Sequence, residues 1–401
     1  MKGLKTLLFI LFLAAAGLSY GEEPSLSLIT VYPGDAIYSA FGHTAFRYTD
    51  PDNNVDALYN FGTFDFQDPM FIPKFIQGQL DYFLGVVYFK REFLFYTMVE
   101  NRTVVEQKLN LTQEEIEQIH SYLTENALPE NRFYKYDFIK DNCSSKIQTV
   151  LNATLGDKIT YDQAAIAQIG EKTYREYLRS HLDRMPWFDT GIQVVLGMPL
   201  DQNVLPSDSF FLPALVQIIA ENSTLSDGRH LVESTETLFG SNDDPINDPL
   251  IDLLNDPIKI NPPFILFSLL LALELGLIYL ACIRKNQVFR RVLDIYEYTL
   301  AVLNFLAGAL IFYLWFISDH TATKGNLNIL WCCPLSLVYL AAFFCRKRNP
   351  VFRWDCRIQA FLCVVFFMVM AVGLEETCPP VIPLLSLYTI LFGRRIFPNL
   401  S

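Results

Sequence analysis

Charged residues are scarce in this 401-residue chain. Asp, Glu, Lys and Arg make up 18% of the residues, against about 25% in soluble domains, while hydrophobic residues reach 51%. Within that charged fraction, 43 acidic residues outweigh 31 basic ones, and the formal net charge is -12. Nucleic-acid binding requires clustered Lys and Arg, so we expect no nucleic-acid partner. An aromatic content of 14% also excludes general intrinsic disorder.

Several motifs of common enzyme classes are absent. The sequence contains no HExxH, no paired CxxC and no histidine cluster with ligand spacing, so we expect no zinc site. The GxSxG pattern of serine hydrolases occurs only at residues 17–21, at the end of the first apolar run rather than at a strand-to-helix turn, and the sequence contains no phosphate-binding P-loop. We therefore expect neither a metal nor another cofactor, and any chemistry must come from the side chains of the protein itself.

The apolar residues are concentrated in two places, and this divides the chain into four segments. Residues 1–21 are predicted to be a signal peptide, because a basic start precedes an apolar run too short for a comfortable membrane span; an uncleaved anchor is the alternative. Residues 22–240, termed the exported domain, have the mixed composition of a soluble domain. Asp-Pro pairs predict a linker over 241–263. The strongly apolar remainder, 264–401, is termed the membrane domain.

The membrane domain is predicted to be all-α, with about five transmembrane helices. Its apolar runs are 264–283, 295–317, 327–345, 357–374 and 380–392. The first four are close to the length that crosses a bilayer, and the fifth is short. Lys and Arg cluster after the first, third and fifth runs, so these ends are expected in the cytoplasm and the exported domain on the outer side. The predicted signal peptide independently indicates the same topology.

Eight cysteines occur in the chain, but only Cys143 lies in the exported domain, which therefore cannot form an internal disulfide. Asp141 and Asn142 are good helix N-caps, and the apolar residues that follow recur at helical spacing. Cys143 is thus predicted in the first turn of a helix, where backbone N–H groups and the helix dipole favour a thiolate. A buried structural cysteine is the alternative, but it would be more natural within the apolar stripe.

His43 is the histidine best placed for chemistry. It follows Gly42 at the start of a strand-like run, and the turn at 51–54 leads into a second run over 55–66. A histidine there suits a general base, although a lone histidine is more often structural. His120 ends an acid-rich amphipathic helix and is predicted to lie at the surface.

A Gly-His strand that precedes an Asn-Cys helix start resembles the circularly permuted NlpC/P60-type thiol enzymes of the papain-like group. More specifically, the chain is similar to the Lnb family of lipoprotein N-acyltransferases. The stretches that carry this resemblance are Phe41–Thr44, Tyr59–Phe66, Asp141–Ser144, Pro186–Phe188, Phe211–Pro213 and Ser318–His320, with Asn326 and Asn328. Ser144-Ser145 departs from the Ser-Thr pair expected there.

The resemblance implies an α+β exported domain of permuted papain/NlpC-P60 type, an antiparallel sheet with helices, in the periplasm. It implies a multi-pass protein of the bacterial inner membrane that acylates the lipid-modified N-terminal cysteine of a diacylated lipoprotein. A phospholipid is the expected acyl donor. Cys143 would carry the acyl group as a thioester, with His43 as base. Asn60 lies where such folds carry the residue that orients the histidine.

Four further residues of the exported domain are candidates for substrate binding. Arg47 is a candidate for pairing with a lipid phosphate, with an ordinary surface cation as the alternative. Tyr59, with neighbouring aromatic residues, is a candidate for lining an acyl groove, although such a stripe is more often plain core. Asn142 and Ser144 flank the thiol at the helix start, where backbone N–H groups are suited to an oxyanion hole.

Two candidates lie in the membrane domain. His320 belongs to the predicted outer loop, where it would contact a lipid headgroup or remain solvated. Glu274 lies within the first apolar run, and an ionisable group inside a membrane is by default a functional candidate. A pair with a polar neighbour such as Asn304 is the alternative for Glu274.

Two other functions remain open from the sequence. The first is a membrane-tethered NlpC/P60-like cell-wall peptidase or amidase. The five apolar runs argue against it, because they favour a protein that handles lipids. The second is a non-catalytic membrane scaffold for envelope biogenesis. The polar, helix-start position of the single exported cysteine argues against a scaffold.

Overall fold

The computed structural model describes residues 23–65, 67–240, 261–344 and 350–396. The predicted signal peptide over 1–21 lies outside the described residues. So does most of the predicted linker, because residues 241–260 are not described.

The exported domain is built on one large antiparallel sheet. The strands are β1 Ser25–Val31, β2 His43–Asp50, β3 Val55–Thr63, β4 Asp81–Tyr88, β5 Val104–Leu109, β6 Phe133–Lys135, β7 Ile159–Thr160, β8 Thr224–Leu225 and β9 Val232–Phe239. Seven of them form a sheet in the order β6-β4-β3-β2-β1-β5-β9, and β7 pairs with β8 separately. Alternation along β1 places Leu26 and Leu28 in one buried cluster and Ile29 and Val31 in another. Both faces of the sheet are therefore covered.

Short helices surround this sheet. They are α1 Phe71–Gln77, α2 Phe89–Leu94, α3 Gln113–Asn126, α4 Cys143–Leu155, α5 Gln163–Ile169, α6 Tyr174–His181, α7 Pro186–Val195 and α8 Pro213–Asn222. Helix α4 contributes Ile147, Val150 and Leu151, at helical spacing, to the larger core cluster. The predicted α+β architecture, an antiparallel sheet with helices, is confirmed.

The predicted hairpin and the predicted helix start are both confirmed. Strands β2 and β3 pair antiparallel across the turn at 51–54. Helix α4 begins at Cys143 because the Asn142 side chain accepts hydrogen bonds from the backbone N–H groups of Ser144 at 2.8 Å and Ser145 at 2.9 Å. The Ser145 hydroxyl accepts from the Asn142 N–H in return, at 2.8 Å, which completes a capping box.

The described part of the membrane domain is helical, with apolar helices as predicted. The helices are α9 Pro262–Ile278, α10 Gln287–Phe316, α11 Ser336–Phe344, α12 Pro350–Ala371 and α13 Val381–Arg394. A π-helical turn, Tyr279–Ile283, continues α9. Three segments within the described residues are long and apolar enough to cross a membrane: Pro262–Cys282, Gln287–Phe316 and Phe352–Ala371. Helix α13 is shorter, in line with the short fifth run.

The prediction that the third run, 327–345, forms a helix of nearly membrane-spanning length is wrong. The chain makes a 3-10 turn at Leu327–Leu330 and resumes as a helix only at Ser336. Pro334 lies between them, and proline disfavours helix in the preceding residue. Polar groups of this non-helical backbone find hydrogen-bond partners inside the bundle. Asn304 donates to the Trp331 carbonyl at 2.7 Å and accepts from the Cys333 N–H at 3.2 Å. Hydropathy alone does not register such bonds.

The loop between α10 and α11 packs against the exported domain. The Gly197 N–H donates to the Ala322 carbonyl at 2.9 Å, and the Asn326 side chain donates to the Val194 carbonyl at 2.9 Å. A side chain at Gly197 would collide with the Lys324 carbonyl. Glycine at this position therefore allows the backbones of the two domains to approach closely.

Candidate active site

Three elements bring the predicted catalytic residues together. His43 begins β2, Asn60 lies on the adjacent β3, and Cys143 begins α4. The Nε2 atom of His43 lies 3.0 Å from Oδ1 of Asn60, and the imidazole is hydrogen-bonded to the Cys143 side chain. Because Nε2 is engaged with the Asn60 oxygen, Nδ1 is the ring nitrogen left for the thiol. His43, Asn60 and Cys143 are hereafter called the thiol triad.

The charges of the thiol triad favour an ion pair. Burial alone would raise the pKa of Cys143, but the charge and hydrogen bond of His43, with hydrogen bonds from Ser144 and the Thr44 backbone, lower it below its ordinary value. Burial alone would lower the pKa of His43, but Cys143 and the bond to Asn60 raise it above its ordinary value. These opposite shifts stabilise a thiolate beside an imidazolium, which is the reactive state of a thiol nucleophile.

A bulge in β3 shapes one wall of the site. The register between β3 and β4 shifts between Asn60 and Thr63, and Gly62 has a φ of +91°. A Cβ atom at Gly62 would lie 3.6 Å from the Cβ atom of Cys143, so the β3 backbone passes directly beside the nucleophile. Sequence analysis did not identify Gly62 as a site residue. A glycine within a strand-like run indicates a bulge, so the position of Gly62 in the run 55–66 was the signal that could have identified it.

Asn142 and Ser144 flank the thiol, but their described contacts are internal. Asn142 is 4% exposed, and its amide donates to the carbonyls of Phe138 at 2.7 Å and Phe211 at 2.9 Å. Ser144 is fully buried, with Oγ at 3.7 Å from the Cys143 sulfur. Both residues hold the start of α4 in place, so they position the nucleophile rather than face a substrate.

Arg47 lies apart from the thiol triad. It is four residues beyond His43 on β2, a distance of about 13 Å along a strand. Its guanidinium pairs with Asp56 at 2.8 Å and with Glu106 at 3.1 Å, and it lies 3.8 Å from the Phe89 ring centre. The two carboxylates compensate the positive charge of Arg47 within the sheet, so the structure does not support a contact between Arg47 and a lipid phosphate.

Tyr59 is part of the core rather than of an open groove. It is 5% exposed, and its hydroxyl lies 3.1 Å from Nε2 of His120. The prediction that His120 is a surface residue is wrong, because this half-buried ring stacks on Tyr48 with ring centres 3.7 Å apart. The sequence did not show this contact, since it joins α3 to a distant strand.

The membrane-domain candidates also lie apart from the triad. Glu274 is fully buried within the helices, and its carboxylate oxygens have no hydrogen-bond partner among the described residues. Asn304, the suggested partner of Glu274, instead binds the backbone around Trp331 and the Ser336 hydroxyl. His320 lies in the loop between α10 and α11, where its Nε2 atom is 2.8 Å from the carbonyl of Phe75 on α1.

A cavity of about 560 Å³ lies where the exported domain meets α10 and the loop that follows it. Its walls come from α1, β4 and α7 on one side and from α10 and this loop on the other. His320 is one of its lining residues. Within the described residues, no group of three or more His, Cys, Asp and Glu side chains is arranged to hold a metal ion.

Two protein-family models match the chain. The Lnb N-terminal periplasmic domain matches residues 20–180, and the Lnb transmembrane domain matches residues 256–397. The thiol triad falls within the first match, and helices α9 to α13 fall within the second. No curated protein and no solved structure matches the chain.

Proposed function

Because the chain belongs to the Lnb family of membrane proteins with a periplasmic domain, we propose that it is a lipoprotein N-acyltransferase of the bacterial inner membrane. It takes a fatty acyl group from a phospholipid and transfers it to the α-amine of the lipid-modified N-terminal cysteine of a diacylated lipoprotein. It is a multi-pass protein whose catalytic domain faces the periplasm.

The observation that carries this proposal is the thiol triad. A thiol of lowered pKa, hydrogen-bonded to an imidazole that a second residue orients, is suited to covalent acyl transfer. The attachment of this triad to a transmembrane domain favours a lipid as the source of the acyl group. A cell-wall peptidase would need only a single anchor.

In the first half-reaction, the Cys143 thiolate attacks the carbonyl carbon of a phospholipid ester. A carbon–sulfur bond forms, the ester carbon–oxygen bond breaks, and the His43 imidazolium gives its proton to the departing lysophospholipid oxygen. Asn142 already accepts from the N–H groups of Ser144 and Ser145, so the Cys143 N–H is the donor that remains near the developing oxyanion.

In the second half-reaction, the neutral lipoprotein amine attacks the thioester carbonyl. A carbon–nitrogen bond forms and the carbon–sulfur bond breaks, while His43 accepts a proton from the amine. The products are an amide on the lipoprotein and the starting thiolate–imidazolium pair. Asn60 holds the ring orientation through both steps because it binds Nε2, so Nδ1 is the nitrogen that remains for proton transfer.

The test is the mass of the N-terminal peptide of one lipoprotein from cells with the wild-type protein or with Cys143→Ala. We expect one additional acyl group on the α-amine with the wild type and none with the variant at equal abundance. An identical acylation state in both strains would overturn the proposal. Release of peptidoglycan fragments by the wild type alone would identify a peptidase instead.

A further inference from the structure

The cavity between the two domains has a mainly apolar body. The exported domain lines it with Phe75, Phe138, Ile192 and Leu196, among others. A volume of about 560 Å³ lies within the range of small-molecule sites. The cavity is therefore large enough for a bound organic molecule and chemically suited to an apolar one.

Polar lining residues lie together where the loop between α10 and α11 meets the exported domain. The Thr321 hydroxyl donates to Asp137 at 2.5 Å, and Gln79 donates to Asp319 at 2.7 Å. His320 contacts the backbone of α1 beside them. An apolar body with a polar border matches an amphiphile, such as a lipid with its headgroup at that border.

An exposed apolar face of α10 continues into the cavity. Leu303, Leu306 and Leu310 are exposed by 53%, 56% and 43%, and they lie three and four residues apart on one face of the helix. Leu314 continues this face by one turn, and both Leu310 and Leu314 line the cavity. This stripe is a continuous apolar surface that leads along α10 to the cavity.

The opposite wall lies close to the nucleophile. Tyr136 lines the cavity and stacks on Tyr82 with ring centres 4.3 Å apart. Burial is the main cause that raises the pKa of Tyr136, and the charge of Cys143 is the second. The two side chains are therefore close enough for their charges to interact. The carbonyl of Phe138, another wall residue, is bound by the Asn142 amide that caps α4.

We propose that this cavity holds the fatty acyl chain that Cys143 receives from the donor phospholipid. The chain enters from the bilayer along the leucine stripe of α10 and stays between the domains while its carbonyl carbon is bound to sulfur. The reaction is the one given above, and this inference rests on that proposed function. It adds the site that selects chain length, which neither family match describes.

Gly191 offers a way to fill the cavity. It lies on α7, lines the cavity, and a Cβ atom placed on it meets nothing within 4 Å. Gly191→Leu therefore adds apolar atoms inside the cavity without a backbone collision. Gly276→Leu is the matched control, because Gly276 is also helical and open to a Cβ atom but does not line the cavity.

The first measurement uses the full-length protein in lipid nanodiscs with a phospholipid that carries a diazirine near the end of one 16-carbon chain. After illumination, we expect label on the peptide of Ile192 and Leu196, which belong to the exported domain. Label confined to the lipid-facing side of α10 would overturn the proposal. This result does not depend on turnover or on any variant.

The second measurement compares acyl-thioester formation from 16-carbon and 8-carbon donors. Each methylene displaced from the cavity lowers the rate by about fourfold, so Gly191→Leu should lose at least about tenfold with the long donor and little with the short one. Gly276→Leu should match the wild type with both. Equal behaviour of the two variants would contradict the cavity assignment. Label in the cavity without any thioester would instead reject the acyltransferase function and retain the lipid site.

Discussion

The Cys143–His43 pair of the exported domain and the Glu297–Arg394 pair of the membrane domain both bring an acidic group beside a basic one, but they differ in how fully the two groups are buried. Glu297 is fully buried and pairs with Arg394 at 2.6 Å and with Arg395, while the Tyr339 hydroxyl lies 3.4 Å away. These contacts tie α10 to the end of α13.

Cys143 and His43 are instead half-buried, and each leaves part of its surface available to a substrate. A fully buried ion pair is closed to substrate, so its loss acts on stability. A half-buried thiol whose pKa is lowered by a neighbouring histidine is instead accessible and reactive. The comparison predicts that changes at one pair affect chemistry and changes at the other affect stability.

The largest expected effect is that of His43→Ala on chemistry. Loss of the general base should lower acyl-thioester formation by about 10²- to 10⁴-fold, with only a small change in unfolding temperature. His120→Ala is the matched control, because this histidine is also half-buried but stacks in the core on Tyr48. It should lose stability and keep its activity per folded molecule. Similar rate losses in both variants would break the comparison.

Glu297→Ala should have the next largest effect, and it should act on stability. Removal of this carboxylate leaves Arg394 and Arg395 buried without their shared partner, which costs about 3–5 kcal/mol. Thermal unfolding in detergent measures the loss, and the rate per folded molecule should stay near that of the wild type. Glu274→Gln is the control, since Glu274 has no described hydrogen-bond partner to lose. An equal loss of stability in that control would contradict the assignment.

The pH dependence of thiol alkylation sharpens the comparison further. The pKa of Cys143 is lowered, so its thiolate persists to lower pH than that of an ordinary thiol with a pKa of about 8.5. The rate of iodoacetamide modification should therefore rise with pH through a midpoint that lies below the midpoint of an ordinary exposed cysteine measured under the same conditions. His43→Ala should move this midpoint upward, because the group that stabilises the thiolate is gone. A midpoint unchanged by His43→Ala would mean that the histidine does not stabilise the thiolate.

The smallest of these effects is expected for Asn60→Ala. Asn60 positions the imidazole through one hydrogen bond to Nε2, so its loss should cost about 1 kcal/mol, or several-fold in rate. The alkylation midpoint should shift in the same direction as in His43→Ala, but less. Asn60→Asp keeps an acceptor for Nε2 and should restore part of the rate. A purely structural role would leave the midpoint unchanged in both variants.

The parts of the site that depend on local sequence could be predicted. Asn142 before Cys143 fixes the helix start through hydrogen bonds to Ser144 and Ser145, and the turn at 51–54 brings β3 beside β2. His43 and Cys143 could therefore be named in advance from their local sequence, whereas Asn60 was named because the resemblance implied it. The fold resemblance was needed to join the helix to the hairpin, because nothing local relates Cys143 to His43.

The parts that depend on distant contacts could not be predicted. Arg47 has a partner, Glu106, on the far side of β1, and only the strand order of the sheet reveals this pair. The break in the third apolar run depends on Asn304, which lies on another helix. Apolar composition predicted that the described part of the membrane domain is helical, but side-chain hydrogen bonds decide where each helix begins.

The most direct test of the central claim is to trap the acyl group on Cys143. Purified protein is incubated with a phospholipid whose acyl chain is labelled, quenched in acid without a lipoprotein acceptor, and analysed by peptide mass. We predict one acyl group on the peptide that contains Cys143, released by neutral hydroxylamine and absent in Cys143→Ala. An unmodified Cys143 peptide, in protein that still acylates an added lipoprotein, would contradict the thioester mechanism.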